Sequence, residues 1–226
     1  MSDPQAPPAR PAGESAAWRL TSTLAVAGAI AGVLIVVVHQ WAEPRVEAYR
    51  ARVLQDAILE VLHEPARFDT LYVGDGALSE TPPGGRGLDP VYVGFDPSGR
   101  PMGFAIPGQG PGFQDVVRLI FGYDPATGEV LGMRVLESKE TPGLGDKIIK
   151  DLAFVGEFEG VDTPLLGVKP GAGEGAAAEV DMITGATISS RAVIGIINRR
   201  VAALGPAMAA WRPAEAPRGS PPEDRR

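Results

Sequence analysis

The sequence predicts a single α+β domain hung from one apolar helix, and three observations carry that expectation. A long charge-free run stands near the start, a series of short strand-like runs follows it, and helical patterns stand at both ends of that series and not between its strands. Strands in series with helices outside them describe a mostly antiparallel sheet with flanking helices, whereas a parallel sheet needs strands and helices to alternate. Size and composition agree: 226 residues, 44% hydrophobic and 22% charged, suffice for one hydrophobic core and lie far from the disordered range.

Composition also closes several chemistries. Lysine and arginine total 21 against 28 acidic residues, a net charge of −7. No basic excess exists to neutralise a phosphate backbone, so nucleic acid is not an expected partner. Cysteine is absent, which excludes disulfides, thiolate zinc, cysteine-ligated iron–sulfur clusters and a cysteine nucleophile. Histidine occurs only as His39 and His63, too few for a histidine-rich metal site or a relay. Neither a metal site nor a catalytic acid–base set is expected.

Taken in order, residues 1–17 hold Pro4, Pro7, Pro8 and Pro11 among small residues and read as a disordered tail. Residues 18–42 read as a transmembrane anchor. Leu20 to Ala42 carries no charge between Arg19 and Glu43, and as a helix it spans about 35 Å against a hydrocarbon core of about 30 Å. Trp18 and Trp41 flank it as interfacial aromatics do. A cleaved signal peptide would be shorter and end at a small-residue site, whereas His39-Gln40-Trp41-Ala42-Glu43-Pro44 follows here. Arg10 and Arg19 precede the span while Arg45, Arg50 and Arg52 follow it, so positive charge does not set its orientation.

The folded domain is expected over residues 43–204. Val46 to Leu62 opens it as a helix, with Val46, Tyr49, Val53, Ala57 and Val61 on one stripe. Strands are expected at Thr70–Val73, Val91–Phe95, Gly103–Ile106, Val116–Phe121 and Val130–Leu136. Turn signals separate them at Asp96–Gly99, Pro107–Gly110 and Asp124–Gly128, the last reading as an antiparallel hairpin. A closing helix starts near Ser189, carries Val193, Ile197 and Val201 on one face, and is expected to end at Gly205-Pro206. Residues 205–226, with Pro206, Pro213, Pro217, Pro221 and Pro222, read as a second disordered tail.

Two motifs bear on chemistry. Gly171-Ala-Gly-Glu-Gly175 looks superficially like a dinucleotide loop, but no convincing strand precedes it and no acidic residue follows at the right distance, so it reads as a flexible loop. Asp181-Met-Ile-Thr-Gly-Ala-Thr187 leads through Ile188-Ser189-Ser190 into the closing helix. By itself it is either a hydroxyl-rich helix cap or a phosphate site at a helix N-terminus. Arg191 in the first turn favours an anion there, since a lone cation opposes the helix dipole.

The run Asp-x-x-Thr-Gly-Ala-Thr matches the modification motif of the covalent FMN-binding domain family, and Glu140-Thr-Pro-Gly-Leu-Gly-Asp-Lys147 resembles a second element of the same domain. With one N-terminal membrane helix, the chain resembles the G subunits of the Rnf electron-transport complex. The resemblance implies FMN held covalently through its phosphate on Thr187, with Thr184, Gly185 and Ala186 forming the turn that presents it. It implies that Asp181 is read by a flavin transferase, and that Glu140, Thr141, Gly143, Leu144 and Gly145 lie beside the isoalloxazine. Glycines at 143 and 145 would let backbone approach a flat ring, with Leu144 against its face.

The same resemblance implies a redox carrier that relays electrons between ferredoxin and NAD in an ion-translocating complex, beside other membrane and iron–sulfur subunits. The expected location is a bacterial inner membrane, spanned once, with the N-terminus cytoplasmic and the folded domain on the periplasmic or extracytoplasmic side. A flavin supplies one- and two-electron chemistry itself, so no separate substrate site is needed. Two alternatives remain at this point: the C subunit of the sodium-pumping NADH:quinone reductase, which uses the same motif, and an independent membrane-anchored flavoenzyme.

Overall fold

The computed structural model describes residues 12–74, 76–82 and 89–213, with helical backbone alone at residues 12–16. Most of both expected tails lies outside the described residues. Contacts divide the chain within its first helix, between Arg52 and Val53.

In the first unit, helix α1 (Ala12–Val61) begins inside the stretch that composition assigns to the N-terminal tail. From Ala17 to Val61 it is long and apolar enough to cross a membrane, and its large apolar side chains from Trp18 to Tyr49 stand exposed. Pro44 lies within it, where separate helices at 18–42 and 46–62 are expected from sequence. Proline removes one helical hydrogen bond, a local loss that the flanking turns outlast in so long a helix.

In the second unit a seven-stranded antiparallel sheet has the order β2-β1-β3-β4-β5-β6-β7. Its strands are β1 (Arg67–Gly74), β2 (Ala77–Ser79), β3 (Pro90–Phe95), β4 (Pro101–Pro111), β5 (Val116–Asp124), β6 (Glu129–Glu137) and β7 (Val161–Asp162). The five strands expected from alternation are all present, and the Asp124–Gly128 turn joins β5 to β6 as a hairpin. Short helices α2 (Lys147–Lys150) and α3 (Leu152–Gly156) follow β6, and β8 (Leu166–Val168) pairs in parallel with β9 (Glu179–Asp181). Helix α4 (Thr187–Ala210) closes the domain. The architecture is α+β, as its sequence pattern predicts.

Period-two alternation gives the sheet two covered faces. Val117, Leu119, Phe121 and Tyr123 of β5 join Val91, Val93 and Phe95 of β3 in a core closed by Val193, Ile196 and Ile197 of α4. On the opposite face Tyr92, Ala105 and Ile120 pack with Ala57, Ile58, Val61 and Leu62.

Two sequence expectations need correction. Pro107–Gly110 is not a turn: Pro107, Gly108, Gln109 and Gly110 pair with Ile120, Leu119, Arg118 and Val117 inside β4. The pairing of β3 with β4 reaches only from Pro101 to Ala105, so the N–H that Pro107 lacks is not needed by a second neighbour. Gly205-Pro206 does not end the closing helix, which runs to Ala210 with Ala207 and Met208 buried. Beyond it Trp211 stacks edge-on against Phe104 and Phe95, at ring separations of 5.6 and 6.4 Å. That aromatic burial offsets the hydrogen bond lost at Pro206, so the ordered part extends past residue 204.

Candidate functional site

The two motifs meet at the N-terminus of α4. A cavity of about 280 Å³ is lined by Phe113, by Thr141, Leu144 and Gly145 of the loop after β6, and by Gly185, Ala186, Thr187, Ile188 and Ser189 of the turn entering α4. Its rim is apolar: Phe113 is 67% exposed, Ile188 53% and Leu144 52%. Its floor offers hydroxyls, with Thr187 half-buried and Ser189 buried. Two larger hollows, about 480 and 440 Å³, lie around Trp211 and contain no residue of either motif.

Local sequence explains the turn. Gly185 takes a φ of +83°, the left-handed conformation that glycine adopts without steric cost. It reverses the chain out of β9, so that Ala186 becomes the N-cap of α4. No side chain caps that end and no acidic residue stands in its first turn, although helix N-termini normally recruit Ser, Thr, Asp or Asn. Ser190 is the first residue bonded back, its N–H donating to Ala186 O at 2.9 Å. The amides ahead of it point out of the helix with the positive dipole end behind them. Ser190 Oγ donates to Ala186 O and Ser189 Oγ to Glu140, while the Thr187 hydroxyl has no hydrogen-bond partner among the described residues.

The facing loop is rigid for visible reasons. Asp146 Oδ1 accepts from Gly143 N at 2.7 Å and Asp146 Oδ2 from Lys150 Nζ at 2.6 Å. Hydrogen bonding to Lys150 is the main cause that holds the Asp146 carboxyl below its ordinary range. Thr141 Oγ1 donates to Gln114 Oε1 at 2.8 Å, which ties the loop to the segment bearing Phe113.

This geometry can be set beside known proteins. The FMN-binding domain family matches residues 112–202. The chain is 31% identical over 184 residues to the G subunit of the ion-translocating oxidoreductase complex of Escherichia coli K12, covering 78% of this chain and 85% of that one. To the same protein of Shewanella loihica it is 30% identical, with 80% and 86% covered, and to that of Methanosarcina acetivorans 29%, with 79% and 89% covered. The chain belongs to this G-subunit family. Among solved structures, Shewanella oneidensis NqrC covers 73% of this chain and is itself covered completely, with a TM-score of 0.61 at 19% identity, a likeness of fold.

The cavity suits the flavin that the domain family names. Its apolar rim offers faces to a flat ring, and the uncapped amides at Thr187 to Ser189 offer donors to a phosphate. FMN would supply one- and two-electron chemistry there, while the residues of this G-subunit homologue would bind, orient and shield it.

The structure distributes the sequence-derived candidates unevenly. Thr141, Leu144, Gly145, Gly185, Ala186 and Thr187 line the cavity, whereas Glu140, Gly143 and Thr184 do not. Gly143 is exposed, with a φ of +78°. Thr184 and Asp181 border a separate hollow of about 360 Å³ with Lys147, Asp151 and Glu157. There each carboxylate meets a backbone amide: Asp151 caps α3, Glu157 accepts from Asp181 N at 3.3 Å, and Asp181 accepts from Gly171 N at 3.2 Å. Phe113, Ile188 and Ser189 are cavity residues that the motifs alone do not assign. An exposed phenylalanine in a glycine-rich segment is the one signal that could have found Phe113.

Proposed function

We propose that this chain is a membrane-anchored flavoprotein that relays electrons through FMN within an ion-translocating ferredoxin:NAD oxidoreductase complex, and that the flavin is bound covalently through its phosphate to Thr187. One observation carries the reading. Two motifs some forty residues apart converge on one apolar-rimmed cavity at an uncapped helix N-terminus, and a threonine hydroxyl without a hydrogen-bond partner among the described residues stands inside it.

In the attachment step Thr187 Oγ1 loses its proton and forms the ester bond to the FMN phosphorus. The pyrophosphate bond of FAD breaks and AMP leaves with the bonding electrons. A flavin transferase provides the machinery and reads Asp181. Leu144 and Gly145 then lie against the ring, Thr141 at its edge, and the α4 amides at the phosphate. The relatives are named as G subunits of a complex, which supports a place among further membrane and iron–sulfur subunits. Those names also favour this assignment over the C subunit of the sodium-pumping reductase, for which the shared motif and a likeness of fold argue. The apolar helix supports membrane anchoring; the resemblance to the G subunits suggests a bacterial inner membrane, with the folded domain on the periplasmic or extracytoplasmic side.

Coexpression with a flavin transferase tests the reading. The wild type gains one FMN phosphoryl adduct by intact mass and fluoresces on a denaturing gel; Thr187→Ala gains none. A half-buried hydroxyl without a partner contributes little to stability, within about 0.5 kcal/mol, so the variant stays folded. An adduct persisting in Thr187→Ala and mapped to Thr184 or Ser189 overturns the assignment.

A further inference from the structure

Glu140 is the one buried carboxylate among the described residues, and nothing in the proposed chemistry uses it. A carboxylate is buried at a cost unless its oxygens are well bonded. Oε1 accepts from the backbone N–H of Gln114 at 3.0 Å and of Asp115 at 3.4 Å. Oε2 accepts from Ser189 Oγ at 2.6 Å. The segment after β4, the loop after β6 and the first turn of α4 thus meet on a single side chain, and these are the three segments that wall the cavity.

Two glycines make room for it. A Cβ at Gly145 would stand 2.5 Å from Oε2, and one at Gly112 would overlap Oε1. Three donors and two close-approach glycines around one carboxylate exceed what packing a loop requires. Burial alone would raise the Glu140 carboxyl, yet the bonds from Ser189, Gln114 and Asp115 outweigh it and hold it below its ordinary range.

We propose that Glu140 is a positioning residue, whose carboxylate fixes the first turn of α4, and with it Thr187, opposite the loop that carries Leu144. It acts through Ser189 and the loop amides, without lining the cavity itself. The inference rests on the reading of Thr187 as the FMN acceptor.

Two measurements on the full-length chain test it. The first is the rate of flavinylation by a flavin transferase, per folded molecule. Glu140→Ala is expected to slow it by about tenfold or more, the rate equivalent of one charged hydrogen bond lost. Glu140→Gln restores most of the rate, because its carbonyl still accepts from the loop amides while its NH₂ donates to Ser189 Oγ. A merely structural role predicts a wild-type rate for folded Glu140→Ala, and that result overturns the proposal. Should Glu140→Ala fail to fold, Ser189→Ala cuts the same tie from the other side and must slow flavinylation several-fold; a wild-type rate there also overturns it.

The second measurement is amide exchange in the flavin-free chain. Glu140→Ala, or Ser189→Ala in its place, must speed exchange at the first turn of α4, and Glu140→Ala must speed it at Gln114 and Asp115 as well. Unchanged exchange at the α4 turn refutes the tie. This arm is independent of the cofactor. If the wild type takes up no FMN, the functional reading fails while exchange still decides whether Glu140 holds the three segments.

Discussion

Two glycine-rich segments, Pro107–Gly112 and Pro170–Gly175, have similar compositions and opposite physics. In the first, glycine supplies space. Cβ atoms at Gly108 and Gly110 would stand 2.6 and 2.9 Å from Ile196 of α4, and one at Gly112 would lie 2.9 Å from Asp115 O besides overlapping Glu140. None of the three has a positive φ. In the second, Gly171 and Gly175 supply a dihedral angle, while a Cβ at Gly173 would closely meet only the carboxylate end of the Glu179 side chain, at 2.7 Å. Gly171 and Gly175 have φ values of +69° and +80°, and nothing lies within 4 Å of a Cβ at either. The first segment is where α4 and a buried carboxylate press against the sheet beside the cavity. The second only connects the parallel strands β8 and β9. What a glycine touches, and not how many stand together, tells a built site from a turn.

Gly112→Ala should break the contrast with the largest effect. Its methyl must displace Glu140 or the Asp115 carbonyl, and overpacking of this kind costs about 1–3 kcal/mol. Urea unfolding should show that loss, and flavinylation should fall with it because the Glu140 tie is disturbed. Combining Gly112→Ala with Glu140→Ala tests the cause. If the clash with the carboxylate dominates, the double variant is less destabilised than the sum of the two singles. Simple additivity would place the cost elsewhere.

The carboxylate that Gly112 accommodates gives a pH-dependent test. The Glu140 pKa is lowered in the folded state from its ordinary 4.5, so the unfolded chain binds its proton first as pH falls. Its contribution is complete above about pH 5 and is lost as pH drops through the folded-state pKa. The wild type should therefore lose stability below about pH 4.5. Glu140→Gln, which does not titrate there, should show a shallower decline in urea midpoints between pH 6 and 3. Equal slopes for both proteins would mean that this carboxylate is not specially held.

How far the sequence reveals this arrangement depends on whether the information is local. Alternation along β3, β5 and β6 and the Asp124–Gly128 turn are local, and those elements stand where the pattern puts them. Thr141, Leu144 and Gly145, like Gly185 to Thr187, are legible because each group falls within one short motif. Glu140 illustrates the opposite case. The motif that contains it suggests a ring contact, but its partners lie 26 and 49 residues away, and only the folded chain shows that it faces inward. Pro107–Gly110 fails for the same reason, since nothing in its composition reveals that Ile196 of α4 will press on it. Pro206 resembles a helix stop until Trp211 is seen against Phe104. Helices α2 and α3, of four and five residues, are too short to establish a period.

The smallest expected effect sharpens the second half of the comparison. If Gly171 is needed only for its φ of +69°, an L-residue there is strained by the left-handed conformation and not by crowding. Alanine in that region costs about 1 kcal/mol, whereas asparagine tolerates it through local hydrogen bonding of its side chain. Gly171→Ala should then lower the unfolding free energy by about 1 kcal/mol, and Gly171→Asn by less than about half as much. Both retain the backbone N–H that donates to Asp181 Oδ2 at 3.2 Å, so flavinylation of the folded protein should change little in either. A space-limited site would rank the two the other way, because asparagine is the larger side chain. If Gly171→Asn proves the more destabilising in urea, the segment resembles Pro107–Gly112 after all, and the distinction between a glycine chosen for room and one chosen for its dihedral fails here.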